Sequence, residues 1–338
     1  MPAKTSQLGY DFYNNPPFET SVRGSTGDEV LTGDDQGDVF TAGTGDDTMI
    51  GGAGDDLFRD GPGADTISGG GGFDRLSFAY YAPSATSGVV ADLMTQTVYN
   101  DGHGNTEHLS GIESLGAGTL YPDLFIGDNG ANWLWGDKGD FLFGMGGDDA
   151  ISFGAAPAWI DGGSGVNTIV AQGFRLALSA DGQHVLNDFA THGVTVNLAM
   201  HMIVDDGFGG SGPVFDIQNV YGGPLDDKLT GDSGDNVLLG GAGNDILTGG
   251  GGRDVFLFNA DAFDLNGVQT NGNDVITDFH HGLDKIDFAT DSVKSLADLH
   301  IALNAHDDVV ITYGDNSDTV TLLNVHHVTA QDFLFGPV

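Results

Sequence analysis

The chain has 338 residues, with 49 Asp and Glu against ten Lys and Arg, 56 glycines and no cysteine. A net charge of −39 with scattered basic residues excludes a basic surface for nucleic acid. The lack of cysteine excludes disulfides and thiolate metal sites. The sequence contains no run of about 18 apolar residues, so it predicts no membrane-spanning helix. Such a charge alone favours disorder, yet 39% of the residues are hydrophobic.

Residues 1–23 are polar, contain Pro16 and Pro17, and lack the apolar stretch of a cleavable secretory leader. We expect an N-terminal cap or tail that either covers the start of the fold or binds a partner.

Residues 24–77 form a first array of six nine-residue units: GSTGDEVLT, GDDQGDVFT, AGTGDDTMI, GGAGDDLFR, DGPGADTIS and GGGGFDRLS. The eighth place of each unit is apolar: Leu31, Phe40, Met49, Phe58, Ile67 and Leu76. The sixth place of each unit is acidic: Glu29, Asp38, Asp47, Asp56, Asp65 and Asp74. An acid and an apolar residue that recur together indicate a repeat architecture.

Glycines at the first, second and fourth places permit tight turns that expose backbone carbonyls. The last three places form a short strand with one inward side chain, so the repeat predicts a solenoid of parallel strands. Two units per coil would stack the acids in two columns. We call Glu29, Asp47 and Asp65 column A, and Asp38, Asp56 and Asp74 column B.

Stacked carboxylates repel one another unless a cation lies between them. Calcium prefers six to eight oxygens from carboxylates and carbonyls, which the acids and the glycine turns supply. The predicted carbonyl ligands are Gly33, Gly45, Gly51, Gly54, Gly63, Gly69, Gly240, Gly243 and Gly249. The unit resembles the nonapeptide of RTX, or haemolysin-type, calcium-binding repeats. The resemblance implies an all-β parallel β-roll, a right-handed β-solenoid, with calcium ions between successive turns.

Residues 78–117 interrupt the repeat as a β-rich insert, with a strand near 89–93, a polar turn at 100–105 and a strand at 112–115. A second, degenerate array follows at 118–170. Its acid column keeps three aspartates and is otherwise neutral: Asp123, Asn132, Asp140, Asp149, Ala158 and Asn167. We therefore expect fewer ions here than in the first array.

Residues 171–221 contain a predicted hairpin around Asp181 and Gly182 and then an insert that repeats the first one at an offset near 105 residues. GVTVNL at 193–198 matches GVVADL at 88–93. The third array covers 222–257. Its predicted metal ligands are Asp227, Asn236, Asp245 and Asp254.

Residues 258–338 resemble the closing segment that follows such repeats in serralysin-type proteases. A short helix is possible at 292–304, with strands at 309–313 and 319–323. The ending at 331–335, an acid followed by apolar residues, is similar to an uncleaved type I secretion signal. It can also cap the last coil.

Three alternatives are weighed against these predictions. Paired histidines such as His280 and His281 could bind zinc, although no H-E-x-x-H occurs. Asp101, His103, Asn105 and Glu107 alternate in one loop and could form a ligand set. Three tryptophans could form a sugar platform (Trp133, Trp135 and Trp159), with Trp133 and Trp135 pointing outward or packed under a loop.

No catalytic motif is present, so we expect a protein without an active site. The predicted function is that of a secreted, bacterial, calcium-dependent β-roll with a structural, surface-associated or adhesive role. Its expected partners are calcium, the type I secretion machinery and a cell-surface polysaccharide or matrix. The alternative is a secreted effector, or an epimerase-like or lyase-like carbohydrate enzyme with its site in the inserts.

Overall fold

The computed structural model describes residues 20–78, 83–116, 118–171, 173–178, 185–258, 271–288, 293–314 and 318–335. The expected cap at 1–19 and the turn at Asp181 and Gly182 lie outside these ranges. The chain divides into two compact units. The first unit holds the described residues from 20 to 167 with 174–178 and 185–189. The second holds 168–171, Gly173 and those from 190 to 335.

The described residues are almost all in strands and turns. The strands are β1 (Thr20–Arg23), β2 (Val30–Thr32), β3 (Asp38–Thr41), β4 (Thr48–Gly52), β5 (Leu57–Arg59), β6 (Thr66–Gly70), β7 (Arg75–Ser77), β8 (Val90–Asp92), β9 (Thr97–Asn100), β10 (Glu107–Ser110), β11 (Ser114–Gly116), β12 (Leu124–Ile126), β13 (Trp133–Gly136), β14 (Phe141–Phe143), β15 (Ala150–Phe153), β16 (Trp159–Asp161), β17 (Thr168–Ala171), β18 (Phe174–Leu178), β19 (Val185–Phe189), β20 (Thr195–Asn197), β21 (Met202–Asp205), β22 (Gly212–Phe215), β23 (Asn219–Tyr221), β24 (Lys228–Thr230), β25 (Val237–Leu239), β26 (Ile246–Thr248), β27 (Val255–Phe258), β28 (Asn273–Ile276), β29 (Lys285–Phe288), β30 (His300–Leu303), β31 (Val309–Tyr313), β32 (Asp318–Leu322) and β33 (Phe333–Phe335). Short 3₁₀ helices span Leu198–Met200, Leu296–Asp298 and Ala330–Asp332.

In the first unit, alternate nonapeptides contribute strands to opposite sheets. One sheet is parallel throughout, in the order β1-β3-β5-β7-β11-β13-β15. The other has the order β2-β4-β6-β10-β9-β8-β12-β14-β16, and only the strands around β9 are antiparallel. This winding, with two nonapeptides per coil, is the predicted β-roll. The strands β18 and β19 form a separate antiparallel pair.

The second unit repeats this architecture. Its parallel sheet has the order β17-β23-β25-β27-β29-β33. Its other sheet has the order β22-β21-β20-β24-β26-β28-β32-β31-β30. The sheets therefore continue beyond residue 258, where the nonapeptide spelling ends, because β28 and β29 extend the ladders of β26 and β27.

The predicted apolar columns form the core of both units. In the first array every eighth-place side chain is at most 8% exposed, and in the second array each is fully buried. Phe40 and Phe58, on neighbouring coils, stack with their ring centres 4.7 Å apart. The ladder hydrogen bonds and these stacked side chains repeat once per coil, so each coil depends on its neighbours for burial.

The two inserts have the same backbone conformation. Each contains a three-stranded antiparallel ribbon, β8-β9-β10 in one and β20-β21-β22 in the other. Gln96 (φ 52°) and His201 (φ 54°) both adopt the left-handed conformation at matched positions, as do Gly111 (φ 61°) and Asp216 (φ 53°). The inserts are thus part of the sheets, and the sequence offset reflects a structural duplication.

One local prediction is wrong, and one alternative left open by the sequence is decided. The possible helix at 292–304 is a single 3₁₀ turn, Leu296–Asp298, followed by the strand β30, which pairs with β31. Leu299, Ile301 and Leu303 alternate with shorter or polar residues, as the β-ribbon requires. Of the two arrangements expected for Trp133 and Trp135, the structure agrees with packing under neighbouring residues, because each is only 2% exposed. The indole of Trp133 donates a 2.8 Å hydrogen bond to Ser152 Oγ, and the guanidinium of Arg75 lies 5.7 Å from its ring centre.

Candidate calcium sites

The sixth-place acids of the first array stack in the two predicted columns. In column A, the Asp47 amide donates to Asp65 Oδ1 at 2.7 Å, across 18 residues. In column B, the Asp38 and Asp56 amides donate to Oδ1 of Asp56 and Asp74, each at 2.8 Å. One carboxylate oxygen of Asp56, Asp65 and Asp74 is therefore fixed by the backbone of the coil before it.

The other oxygen of these carboxylates is buried without a hydrogen-bond partner among the described residues. This holds for Oδ2 of Asp47, Asp56, Asp65 and Asp74. An unsatisfied buried carboxylate oxygen is costly. Its recurrence at four successive sixth-place aspartates indicates that an additional group, with positive charge, belongs beside it.

The electrostatics support the same conclusion. Burial raises the pKa of Asp56 to about 6, and that of Asp65 and Asp74 to about 7. Carboxylates of the same column add to the shift, Asp56 for Asp74 and Asp47 for Asp65. Without a counter-charge Asp65 and Asp74 are about half protonated at neutral pH, whereas a divalent cation beside them favours the ionised form.

First-place glycines bring carbonyl oxygens to the same point. A side chain at Gly51 would overlap the Asp56 carboxylate and the carbonyl oxygen of Gly69. At Gly33 the overlap would involve the Asp38 carboxylate and the Gly51 carbonyl, one coil earlier. A carboxylate from one coil and a carbonyl from the next thus converge on a space that only glycine leaves open. Such a mixed oxygen set suits calcium.

Most of the predicted carbonyl ligands lie against a glycine of a neighbouring coil. The first-place carbonyls of Gly51, Gly69, Gly240 and Gly249 face the first-place glycine of the coil before, and the fourth-place carbonyls of Gly45, Gly54 and Gly243 face the glycine of the coil after. For the carbonyls of Gly33 and Gly63 the described residues give no such contact, so their assignment stays a prediction.

The second array keeps the stacking but replaces charge with amides. The Asp123 amide donates to Asp140 Oδ1 at 2.8 Å, and the Asn132 amide to Asp149 Oδ1 at 2.8 Å. Asn167 Oδ1 then accepts from the Asp149 amide at 3.0 Å. An asparagine preserves the backbone hydrogen bond without adding charge, so the fold continues with a weaker requirement for cations. That this array binds fewer ions stays a prediction.

In the third array the acid columns continue beyond the predicted ligands, to Asp274 and Asp284. The Asp227 amide donates to Asp245 Oδ1 at 2.8 Å, and the Asp245 amide to Asp274 Oδ1 at 2.8 Å. The Asn236 amide donates to Asp254 Oδ1 at 3.0 Å. In turn, the Asp254 amide donates to Asp284 Oδ1 at 3.1 Å.

Four carboxylates that end or extend the columns were not assigned to them from the sequence: Glu107, Glu113, Asp274 and Asp284. Of these, Glu107 was considered only as a member of the loop set. The Asp74 amide donates to Glu113 Oε2 at 2.8 Å. His108 pairs with Thr66 between β10 and β6, so Glu107 lies beside Asp65 on the next strand. Asp274 and Asp284 each stand two residues before an inward apolar residue, Ile276 and Ile286. A search of the sequence for an acid two residues before an apolar residue, with no requirement for glycine, would have identified both.

A second, outer set of acids lies at the fifth place and was also missed. The Ala64 amide donates to Asp46 Oδ1 at 2.9 Å, and the Phe73 amide to Asp55 Oδ1 at 2.8 Å. Adjacent acid pairs in the sequence were the available signal. These residues cap the turn amides of the next coil, so their role is explained without a metal.

The histidine alternatives gain no support. Over the described ranges, the one group of acids, cysteines and histidines close enough to share a metal ion contains no histidine. His281 Nδ1 lies 2.8 Å from Asp332 Oδ2 and His192 Nε2 lies 3.0 Å from Asp205 Oδ1, so each pairs with a single carboxylate. In the loop set, Asp101 Oδ1 accepts from the amides of His103 and Asn105, and of the four residues only Glu107 belongs to that group of acids.

Comparison with known proteins agrees with this geometry. The model of the RTX calcium-binding nonapeptide repeat matches four segments of the chain, residues 23–58, 42–76, 126–156 and 221–256. The chain therefore contains RTX calcium-binding nonapeptide repeats in these four segments. Its RTX repeats bind calcium, with multiple ions distributed over the arrays.

Other comparisons add little to this assignment. A search of curated proteins finds no match. Among solved structures, the extracellular lipase LipA from Serratia marcescens is similar at 18% identity and a TM-score of 0.26, over 96% of this chain and 42% of that chain. A TM-score this low carries no functional argument. The present chain spans less than half the length of that lipase chain.

Proposed function

We propose that this RTX-repeat protein folds on calcium outside a bacterial cell and serves there as a structural, surface-associated or adhesive protein. The observation that carries the proposal is a series of buried carboxylates whose second oxygen has no hydrogen-bond partner among the described residues. They are four successive sixth-place aspartates of the first array, from Asp47 to Asp74, and again Asp149 and Asp245. Such a core is poorly stable where calcium is scarce and stable where calcium is abundant.

The energetics are those of linkage. Extracellular calcium modules typically bind with dissociation constants of roughly 10⁻⁴–10⁻³ M. At a free calcium concentration ten times that constant, each site adds about 1.4 kcal/mol to the free energy of unfolding. Several sites together therefore add an amount comparable to the whole stability of a typical protein, about 5–15 kcal/mol. The chain would stay unfolded in the cytoplasm, as passage through a type I secretion channel requires, and fold after export.

An exposed aromatic pair favours contact with a polysaccharide. Phe141 on β14 and Trp159 on β16 are register neighbours on adjacent strands, and they are 41% and 36% exposed. Leu124 continues this row on β12. Exposed apolar rows of this kind mark interaction surfaces, and aromatic side chains offer large, rigid contact faces. This row takes the place of the buried Trp133 and Trp135 as the candidate sugar platform.

The export and adhesion proposal is tested in the native host. The full-length protein should appear outside the cell and should sediment with the cells in calcium. It should also be retained by the cells' own isolated surface polysaccharide. Replacing Phe141 and Trp159 together by serine should abolish retention, whereas Tyr99→Ser, on an exposed residue of the insert, should not. A protein that stays free in the medium and binds no polysaccharide would favour the effector alternative.

We also propose that the chain has no active site, since no nucleophile or metalloprotease motif occurs in the sequence. The alternative, a carbohydrate epimerase or lyase with its site in the inserts, is tested by incubating the calcium-loaded protein with uronic-acid polysaccharides. New unsaturated ends or epimerised residues would refute the proposal. Among the described residues, no helix has both the length and the hydrophobicity needed to span a membrane.

A further inference from the structure

Three buried carboxyl groups meet at the junction of the first array and the first insert. Oxygens of Asp60, Asp65 and Glu107 all lie within 4.8 Å of one another. Their side chains come from residues that are 3%, 1% and 0% exposed. Three acids this close and this deeply buried are unusual without a compensating charge.

The three carboxylates come from three different positions in the fold. Asp60 occupies the first place of the fifth nonapeptide, where most other units have glycine, and Asp65 occupies the sixth place of the same unit. Glu107 begins β10, which runs parallel to β6, and the His108 amide donates to the Asp65 carbonyl at 3.1 Å. The ribbon of the insert therefore brings its glutamate onto the end of column A.

Four of the six carboxylate oxygens in this cluster have no hydrogen-bond partner among the described residues. Both Glu107 oxygens, Asp60 Oδ1 and Asp65 Oδ2 are buried without a hydrogen-bond partner among the described residues. A buried carboxylate with neither oxygen satisfied would be strongly destabilising if nothing else were bound. Because all these oxygens belong to one cluster, a single ion can satisfy them together.

We propose that Asp60, Asp65 and Glu107 bind a calcium ion that joins the insert to the first array. Hard oxygen donors without nitrogen or sulfur favour calcium over zinc or copper. Magnesium is less suited, since it retains several of its waters, and this cluster is buried. The site differs from the nonapeptide sites because a third carboxylate, from a first-place aspartate, replaces the usual glycine. Since affinity in oxygen sites rises with ligand charge, this ion should be among the last that the protein loses.

The second copy of the same arrangement acts as an internal comparison. The fifth nonapeptide of the second array has Phe153 at its first place and Ala158 at its sixth. At the offset of 105 residues, Gly212 stands where the first insert has Glu107. All three acids are absent together from the second copy. The second copy therefore lacks the cluster, as expected if its three carboxylates act together.

Shared protons are the competing explanation. Burial, followed by the charge of Asp65, raises the pKa of Asp60 well above its usual range. Burial and the charge of Asp60 do the same for Glu107. Protonated carboxyls could hydrogen-bond to one another without a metal, so the experiment must separate a proton from an ion.

The test counts bound calcium in the full-length chain by equilibrium dialysis and elemental analysis, together with competition against a fluorescent chelator. Glu107→Gln and Asp60→Asn remove one charge each with little change in shape. Asp92→Asn, which removes a charge from the same insert at a half-buried position, is the matched control. Because even changes next to a metal ligand typically cost 10–100-fold in affinity, loss of a direct ligand should cost about 100-fold or more.

We expect Glu107→Gln and Asp60→Asn each to bind one ion fewer than the wild type, from the high-affinity class, while Asp92→Asn keeps the wild-type number. Unchanged stoichiometry and affinity in the two cluster variants would overturn the inference and favour shared protons. Should neither variant fold in millimolar calcium, an anomalous-scattering map of wild-type crystals decides, since a calcium peak must lie between the three carboxylates. The inference rests on the proposed calcium-dependent fold, but this site can be refuted while the calcium-dependent fold is confirmed. A wild type that binds no calcium refutes both, and unaltered cluster variants of a calcium-binding wild type refute only this site.

Discussion

Acidification should stabilise the calcium-free protein, which is the opposite of its effect on most proteins. In the second unit the Asp245 amide donates to Asp274 Oδ1 at 2.8 Å, so the two carboxyls lie on neighbouring coils. Burial, then the charge of Asp274, raises the pKa of Asp245 to about 9, and burial raises that of Asp274 to about 8. In the unfolded chain both titrate near pH 3.9.

The sign follows from these shifts. The native, calcium-free state holds both protons between pH 5 and pH 7, whereas the unfolded chain has released them. Because the native pKa is the higher one, the stabilisation is complete below about pH 4 and is lost as the pH rises towards 8 or 9. Each group contributes about 1.4 kcal/mol per pH unit, so two groups over two units change the free energy of unfolding by about 5 kcal/mol. That equals the lower end of normal protein stability.

The assay is far-UV circular dichroism of calcium-stripped protein at pH 5, 6 and 7, with a urea titration at each pH; a sample that is already unfolded without urea counts as a midpoint of zero. The unfolding midpoint should fall as the pH rises. With saturating calcium the trend should reverse, since metal ligands must be deprotonated and protons compete with the ion. Asp274→Asn should flatten the calcium-free slope by about 1.4 kcal/mol per pH unit. A calcium-free midpoint that rises from pH 5 to pH 7 would refute this reasoning.

Two further predictions concern the first array. Gly51→Ala should lower the thermal midpoint and the calcium stoichiometry, because the added methyl group overlaps the Asp56 carboxylate and the Gly69 carbonyl of the next coil. Gly71→Ala, with open space around it, should change neither. Equal effects of the two variants would contradict the close packing of the coils. Asp47→Asn keeps the acceptor for the Glu29 amide but removes the buried charge, so it should raise the calcium concentration at the midpoint of folding by several-fold, while the exposed neighbour variant Asp46→Asn should not. Titration of circular dichroism with calcium measures both, and identical curves for the two aspartate variants would count against the column.

Much of the fold could be predicted because the repeat combines turn, strand and core in nine residues. The spacing of Asp47 and Asp65 fixed the coil at two units, and their alternation with Met49 and Ile67 fixed which side chains point inward. Each of these is a local property that recurs, so an error in one unit is corrected by the next. Asp274 and Asp284 escaped the prediction because they keep the acid-x-apolar spacing while losing the glycines.

The rest could not be predicted because it depends on contacts between distant segments. Nothing near Glu107 in the sequence indicates that it meets Asp60, since the contact depends on the register of the insert against β6. The burial of Trp133 likewise depends on Arg75 and Ser152 on neighbouring coils. Strand alternation alone gives the direction of a side chain, but it does not say whether that face is covered.

The most direct test of the central claim is a calcium anomalous difference map from crystals grown in millimolar calcium. We expect a row of peaks between successive coils along both columns, each within about 2.3–2.6 Å of sixth-place carboxylate oxygens and glycine carbonyls. Ordered crystals in which Asp47, Asp56 and Asp74 have no ion beside their second oxygen would contradict the account.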